Sequence, residues 1–127
     1  MRDATRQPET LPYLPLFMDL RKGRPCLVIG SGDMAANKTA LLRRAGADVR
    51  NLAAADFTPA ALDDVALVVD AADDARLTAA LAGLARARGV PLNVVDKPEF
   101  CDFIFPAILD RSPVVVAVST GGLAPAL

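Results

Sequence analysis

The chain predicts an α/β fold, a doubly wound parallel sheet, and three observations carry that expectation. Strand-like runs alternate with helix-length segments along the 127 residues, the order that builds parallel sheets through crossover helices. Several of those runs are apolar at every position, as in Cys26-Leu-Val-Ile29 and Val65-Ala-Leu-Val-Val69, which is how strands covered on both faces read. The first of them runs through Gly30-Ser-Gly-Asp-Met-Ala35 directly into a helix-forming segment.

The elements follow in order. Met1 to Thr10 is a polar stretch, and residues 1–13 are expected to form a flexible tail. Leu14-Pro-Leu-Phe17 and Leu20 supply apolar anchors before Lys22-Gly-Arg24 turns into the first strand, Pro25 to Ile29. The first helix spans Asp33 to Ala45, with Met34, Ala35, Leu41, Leu42 and Ala45 expected inward and Lys38, Arg43 and Arg44 outward. Gly46 is its stop. Asp48 to Leu52 reads as the second strand. Thr58-Pro59 reads as a helix start, a cap followed by proline at the first helical position. Val65 to Val69 is a third strand, and a helix opening at Asp73 or Asp74 runs through Arg88 to Gly89. Val90 to Val95 gives a fourth strand and Val114 to Ser119 a fifth. The last residues, Ala124-Pro-Ala-Leu127, look like a helix about to begin, so the chain is expected to stop short of a further helical region. Residues 14–113 are expected to form a dinucleotide-binding Rossmann-like domain and 114–127 the start of a second region.

The glycine segment carries the chemistry. G-x-G-x-x-A between a strand and a helix suits a dinucleotide: Gly30 permits the tight turn, and Gly32 lets the backbone approach a pyrophosphate. Ala35 lets helix and strand pack closely, and the helix N-terminus offers free N–H groups to phosphate oxygens. The candidate cofactor-binding residues are therefore Gly30, Ser31, Gly32, Asp33, Met34 and Ala35. A glycine-rich βα turn that only satisfies geometry is the plainer alternative. Selectivity stays open at this level. An NAD site often places an acid about 20 residues past the motif, and here that count lands on Arg50 and Asn51. Arg50 alone would point to NADP.

Composition removes several classes. The net charge of −1 gives no reason to expect nucleic acid or an anionic membrane surface. No apolar run approaches the roughly 20 residues of a membrane span. The chain contains no histidine, so Ser–His or Cys–His nucleophile pairs and His-ligated metal sites are excluded, and no metal site is expected. Cys26 and Cys101 form no C-x-x-C pattern, which fits a reduced, cytoplasmic protein. Acid–base work falls to Asp, Glu, Lys, Tyr or Cys.

Asp96, in Asn93-Val-Val-Asp96, follows the C-terminal end of a strand, the edge where open α/β sheets bind ligands. It is the candidate catalytic base, against the alternative of a turn or capping residue. Partial desolvation by Val94, Val95 and the 100–105 segment is expected to strengthen it as a base.

Leu14-Pro-Leu-Phe17 with Leu20, Val28-Ile-Gly-Ser-Gly-Asp-Met-Ala35 with Lys38 and Leu41-Leu42, and Ala45-Gly-Ala47 occur in one order with Asn93-Val-Val-Asp96. Phe103-Ile-Phe-Pro106, Asp110-Arg-Ser-Pro113 and Ser119-Thr-Gly-Gly122 with Pro125 follow. Together they resemble the dehydrogenase and chelatase module of the siroheme synthase family over nearly everything from Leu14 onward. The resemblance implies NAD-dependent oxidation of precorrin-2 to sirohydrochlorin, often coupled to ferrous iron insertion giving siroheme. It implies Asp96 as the residue serving both reactions, a carboxylate-rich tetrapyrrole substrate, and a homodimer. For that substrate Asn93, Arg111, Ser119, Thr120, Gly121 and Gly122 are the candidate binding residues. Arg111 would offer a bidentate fork and the Ser119–Gly122 loop an anion nest; a surface turn and a simple connection are the alternatives. The chain departs from the family in a shorter connection after the second strand, in Ala72 where a threonine is common, and in lacking the helices that exchange between subunits. A non-catalytic NAD-sensing domain is the competing reading.

Overall fold

The structure is a computed structural model, and it describes residues 11–121. Two compact units emerge: one spans Met18–Ile104, and the other joins the residues up to Phe17 with those from Phe105 onward.

The larger unit holds four strands and two helices. They are β1 (Cys26–Ile29), α1 (Asp33–Arg44), β2 (Val49–Leu52), β3 (Leu67–Asp70), α2 (Ala75–Arg88) and β4 (Leu92–Val94). All strand pairs are parallel and the sheet order is β2-β1-β3-β4. The chain therefore moves one way from β1 to β2 and the other way from β3 to β4. With right-handed crossovers this puts α1 and α2 on opposite faces, which is double winding.

Packing agrees. Leu27 and Ile29, Val68, and Leu92 and Val94 form one core with Leu62, Val65 and the α2 residues Leu81 and Ala85. Successive strand residues point to opposite faces, so Cys26, Val28, Leu67 and Val69 face α1, which buries Ala35, Thr39 and Leu42. Both faces of β1 and β3 are thus covered, and that coverage explains their unbroken apolar runs.

The helix ends follow local rules in one case more clearly than the other. Asp74 caps α2, its Oδ1 accepting the N–H of Arg76 at 3.0 Å and of Leu77 at 3.1 Å. Gly89 then closes the helix in the left-handed region at φ 66°. At the start of α1, Gly32 occupies the cap position and no side chain caps the helix.

Three expectations are corrected. The helix expected from Thr58 is a single 3-10 turn, Pro59–Leu62; proline holds its first position, but the Thr58 side chain caps nothing. Asp64 at φ 58° ends any further winding. In α1, Met34 is 41% exposed and Ala45 is also exposed, while Thr39 takes one of the buried positions.

The third correction concerns the fifth strand. Val114–Val118 does not join the parallel sheet. It is β6 of an antiparallel pair with β5 (Ala107–Arg111), a strand the sequence reading did not separate from its proline-flanked surroundings. The pair belongs to the smaller unit, and every residue of both strands is exposed. The Ser112–Pro113 bond in their two-residue connection is cis.

Candidate nucleotide site

The order β2-β1-β3-β4 reverses direction between β1 and β3, and ligands of open α/β sheets bind at such a switch point, beyond the strand C-termini. The Gly30–Ala35 segment leaves β1 there. Backbone bonds hold its base from both sides. Gly30 N donates to Leu52 O at 2.8 Å, and Ala71 N donates to Ile29 O at 2.8 Å.

The two glycines of the motif have different causes. Gly30 sits at φ +130°, and a Cβ there would stand 2.6 Å from Ala71 O. The fold itself demands glycine at that position. At Gly32 a Cβ would meet nothing within 4 Å, and its backbone is ordinary extended chain. Nothing in the protein's own packing requires glycine there. The bare space, beside an uncapped helix N-terminus twelve residues long, fits the close approach of a pyrophosphate.

A cleft of about 340 Å³ opens at this point, lined by Gly30, Ser31, Gly32 and Ala35, then by Ala36, Thr39, Ala40 and Arg43 of α1 and by Asn51 of β2. Four of the six expected cofactor-binding residues are therefore brought together. Asp33 and Met34 are exposed on the first turn of α1 and do not line the cleft. Ala36, Thr39, Ala40, Arg43 and Asn51 were not chosen from the sequence. Their signal was present: positions 36, 39, 40 and 43 form one helical face, small until the arginine. Register adds Asn51, which pairs with Val28 and so shares its α1-facing side, whereas Arg50 pairs with Leu27 and points to the other face. Asn51 Nδ2 donates to Thr39 Oγ1 at 2.8 Å.

Asp96 follows β4 at the same sheet edge, two strands from the glycine loop, so roughly 10 Å away at ordinary strand spacing. It is exposed and left-handed, at φ 64°, in a turn closed by Lys97 N donating to Val94 O at 3.2 Å. The desolvation expected from Val94, Val95 and residues 100–105 is not supplied at this exposed position.

Asn93 is buried, and its Nδ2 donates to Phe103 O at 3.0 Å, tethering the segment after β4. Cys101 works on the same segment, accepting from Val94 N at 3.2 Å. Burial pushes the thiols of Cys26 and Cys101 up from their ordinary value. Asp70, 1% exposed, ends β3 with both oxygens engaged, by Thr78 Oγ1 at 2.7 Å and Ala72 N at 3.1 Å.

Arg111, Ser119, Thr120 and Gly121 belong to the smaller unit. Arg111 Nη1 donates to Asp110 O at 3.1 Å, and Ser119 Oγ accepts from Gly121 N at 3.0 Å. Gly122 lies outside the described residues. Among the described residues no group of three or more His, Cys, Asp or Glu is placed to hold a metal ion, and no helix is long and apolar enough to cross a membrane.

A switch-point glycine loop, an uncapped helix N-terminus and a cleft along the following helix define a Rossmann-like domain, the arrangement that suits a dinucleotide. A family model described as putative NAD(P)-binding matches residues 16–107, and the chain belongs to that family. It is 48% identical over 134 residues to siroheme synthase of Methylobacillus flagellatus, covering 90% of this chain and 28% of that protein. It is 46% identical over 136 residues to siroheme synthase of Sodalis glossinidius, covering 92% and 29%. The expected resemblance to the siroheme synthase module is thus borne out. The chain spans less than a third of the length of these relatives. An alignment of 134 positions against 127 residues also leaves relatives' positions with no counterpart here. Among solved structures, SirC, precorrin-2 dehydrogenase, matches with a TM-score of 0.65 at 20% identity, over 89% of this chain and 64% of that one. That likeness bears out the fold.

Proposed function

We propose that this chain is the dehydrogenase module of a siroheme-forming enzyme, oxidising precorrin-2 to sirohydrochlorin with NAD. The observation that carries the reading is the empty space at Gly32 beside the uncapped α1 terminus, set at the switch point with a carboxylate on the same sheet edge. Relatives named siroheme synthase at 46–48% identity supply the substrate class. NAD held at the Gly30–Ala35 loop would supply the hydride acceptor for the reduced macrocycle.

The protein's own groups do the rest. The Gly30–Ala35 loop would hold the pyrophosphate, and the cleft along α1 would take a further part of the dinucleotide. Asp96 accepts the proton that leaves as the hydride departs. Its exposure leaves the carboxylate accessible to a large macrocycle. Iron insertion, in which the same carboxylate takes pyrrole protons, is the second reaction assigned to it. Arg111, Ser119, Thr120, Gly121 and Gly122 are assigned to substrate carboxylates, and Asn93 to holding the chain beside Asp96.

We also infer a homodimer in a reducing, cytoplasmic setting. Ile108, Leu109, Val114, Val115, Val116 and Val118 are 40–58% exposed on β5 and β6, an apolar patch of the kind that marks protein contacts. Both cysteines are free thiols.

Two variants test the reading. Gly32→Asp should abolish NAD binding, since its side chain and charge would fill the phosphate position; unchanged affinity would remove the loop from the site. Asp96→Asn should keep NAD binding yet lose roughly 10²–10⁴ in the rate of sirohydrochlorin formation, followed by absorption. Parental turnover in that variant would reduce Asp96 to a turn residue. NAD binding with no turnover in the parent would favour the sensing reading.

A further inference from the structure

The cleft runs past the pyrophosphate position toward the C-terminal end of β2, where an NAD-selective site carries an acid that bonds the ribose hydroxyls and repels a 2′-phosphate. Here the lining contains no acid. Its one charged side chain is Arg43, which has no ion pair or hydrogen bond among the described residues. Asp56, the first acid after β2, sits at the end of the following 3-10 turn and does not line the cleft.

Three placements bear on the ribose. Asn51 takes the position of the usual acid and lines the cleft with a neutral amide, whose Nδ2 donates to Thr39 Oγ1. The Thr39 bond sets Asn51 beside the second turn of α1. Arg43 lies one turn further along the same helix face and lines the same cleft as Asn51. Arg50, the cation that sequence counting offers, points to the opposite sheet face.

We propose that Arg43 and Asn51 make the ribose end of this cleft receptive to a 2′-phosphate, so the chain binds NADP as well as NAD. The inference rests on the nucleotide site proposed above and concerns only its selectivity. Arg43 supplies the charge, and Asn51 supplies a hydroxyl contact without the repulsion an aspartate would impose.

Calorimetric titration of the protein with NAD and with NADP tests it. The two dissociation constants should lie within about tenfold of each other, and added salt should weaken NADP more than NAD. Arg43→Ala should weaken NADP about tenfold more than NAD, the scale of one charged hydrogen bond. Asn51→Asp should turn the site toward NAD by a similar factor. Both positions are exposed, and NAD binding by each variant reports that the fold is intact. NAD binding with NADP at least about a hundredfold weaker would overturn the inference and leave the nucleotide site standing. Equal loss of both ligands in Arg43→Ala would overturn it too. Binding of neither dinucleotide to the parent would bring down the site itself.

Discussion

At Asp96 the backbone and the proposed chemistry meet in one residue. A non-glycine residue at φ 64° stores about 1–2 kcal/mol of strain, less for Asp and Asn, whose short polar side chains tolerate the left-handed region. Such strain at a ligand-binding sheet edge is a reason to assign function there. Asp96→Asn is therefore a clean probe, since the amide keeps the backbone preference and loses only the proton acceptor. Urea unfolding should rank Asp96→Gly at or above the parent, Asp96→Asn level with it, and Asp96→Val about 1–2 kcal/mol below. A Val variant as stable as the parent would show that the turn relaxes without cost. The position of Asp96 was legible in the sequence, because it follows a strand. Its exposure was not: neighbouring valines and phenylalanines in the chain say nothing about which way the intervening turn faces.

Among the elements, α2 separates what capping contributes from what packing contributes. Asp74→Ala removes two charge-assisted bonds at an exposed terminus and should cost about 1 kcal/mol. Leu81 is fully buried in the core cluster it shares with Leu27, Ile29, Val68, Leu92 and Val94, so Leu81→Ala should cost about 2–5 kcal/mol through lost transfer energy and the cavity left behind. Against a domain stability of about 5–15 kcal/mol, the second change threatens folding and the first does not. Thermal denaturation of the two variants checks the order; a larger effect at Asp74 would contradict it. The sequence revealed both ends of α2 because Asp and Gly act locally there. It misled at Thr58, where a cap and a proline were followed by too few residues before Asp64 turned the chain. It also misled at Val114–Val118, since an unbroken apolar run is the same whether two sheet faces or a partner cover it.

The whole molecule places its apolar surface unevenly. The larger unit hides its branched side chains between sheet and helices, whereas β5 and β6 present theirs outward along ten residues. If that hairpin is the homodimer contact, Val115→Lys with Val116→Asp should shift sedimentation at micromolar concentration from dimer to monomer. NAD affinity should survive the change, because the glycine loop is built within the larger unit. A parent that sediments as a monomer would contradict the dimer. A dimer indifferent to both changes would place the contact elsewhere.

The junction of Gly30 with its neighbours bears on how a ligand is captured. The loop base is bonded to the end of β2 and lies against the backbone at Ala71, with no room for even a methyl group between them. A loop held this way arrives already shaped. Encounter with a dinucleotide should therefore be a single exponential whose observed rate climbs linearly with concentration, without the plateau that a slow rearrangement imposes. Discrimination among nucleotides would then be expressed in how long each one stays.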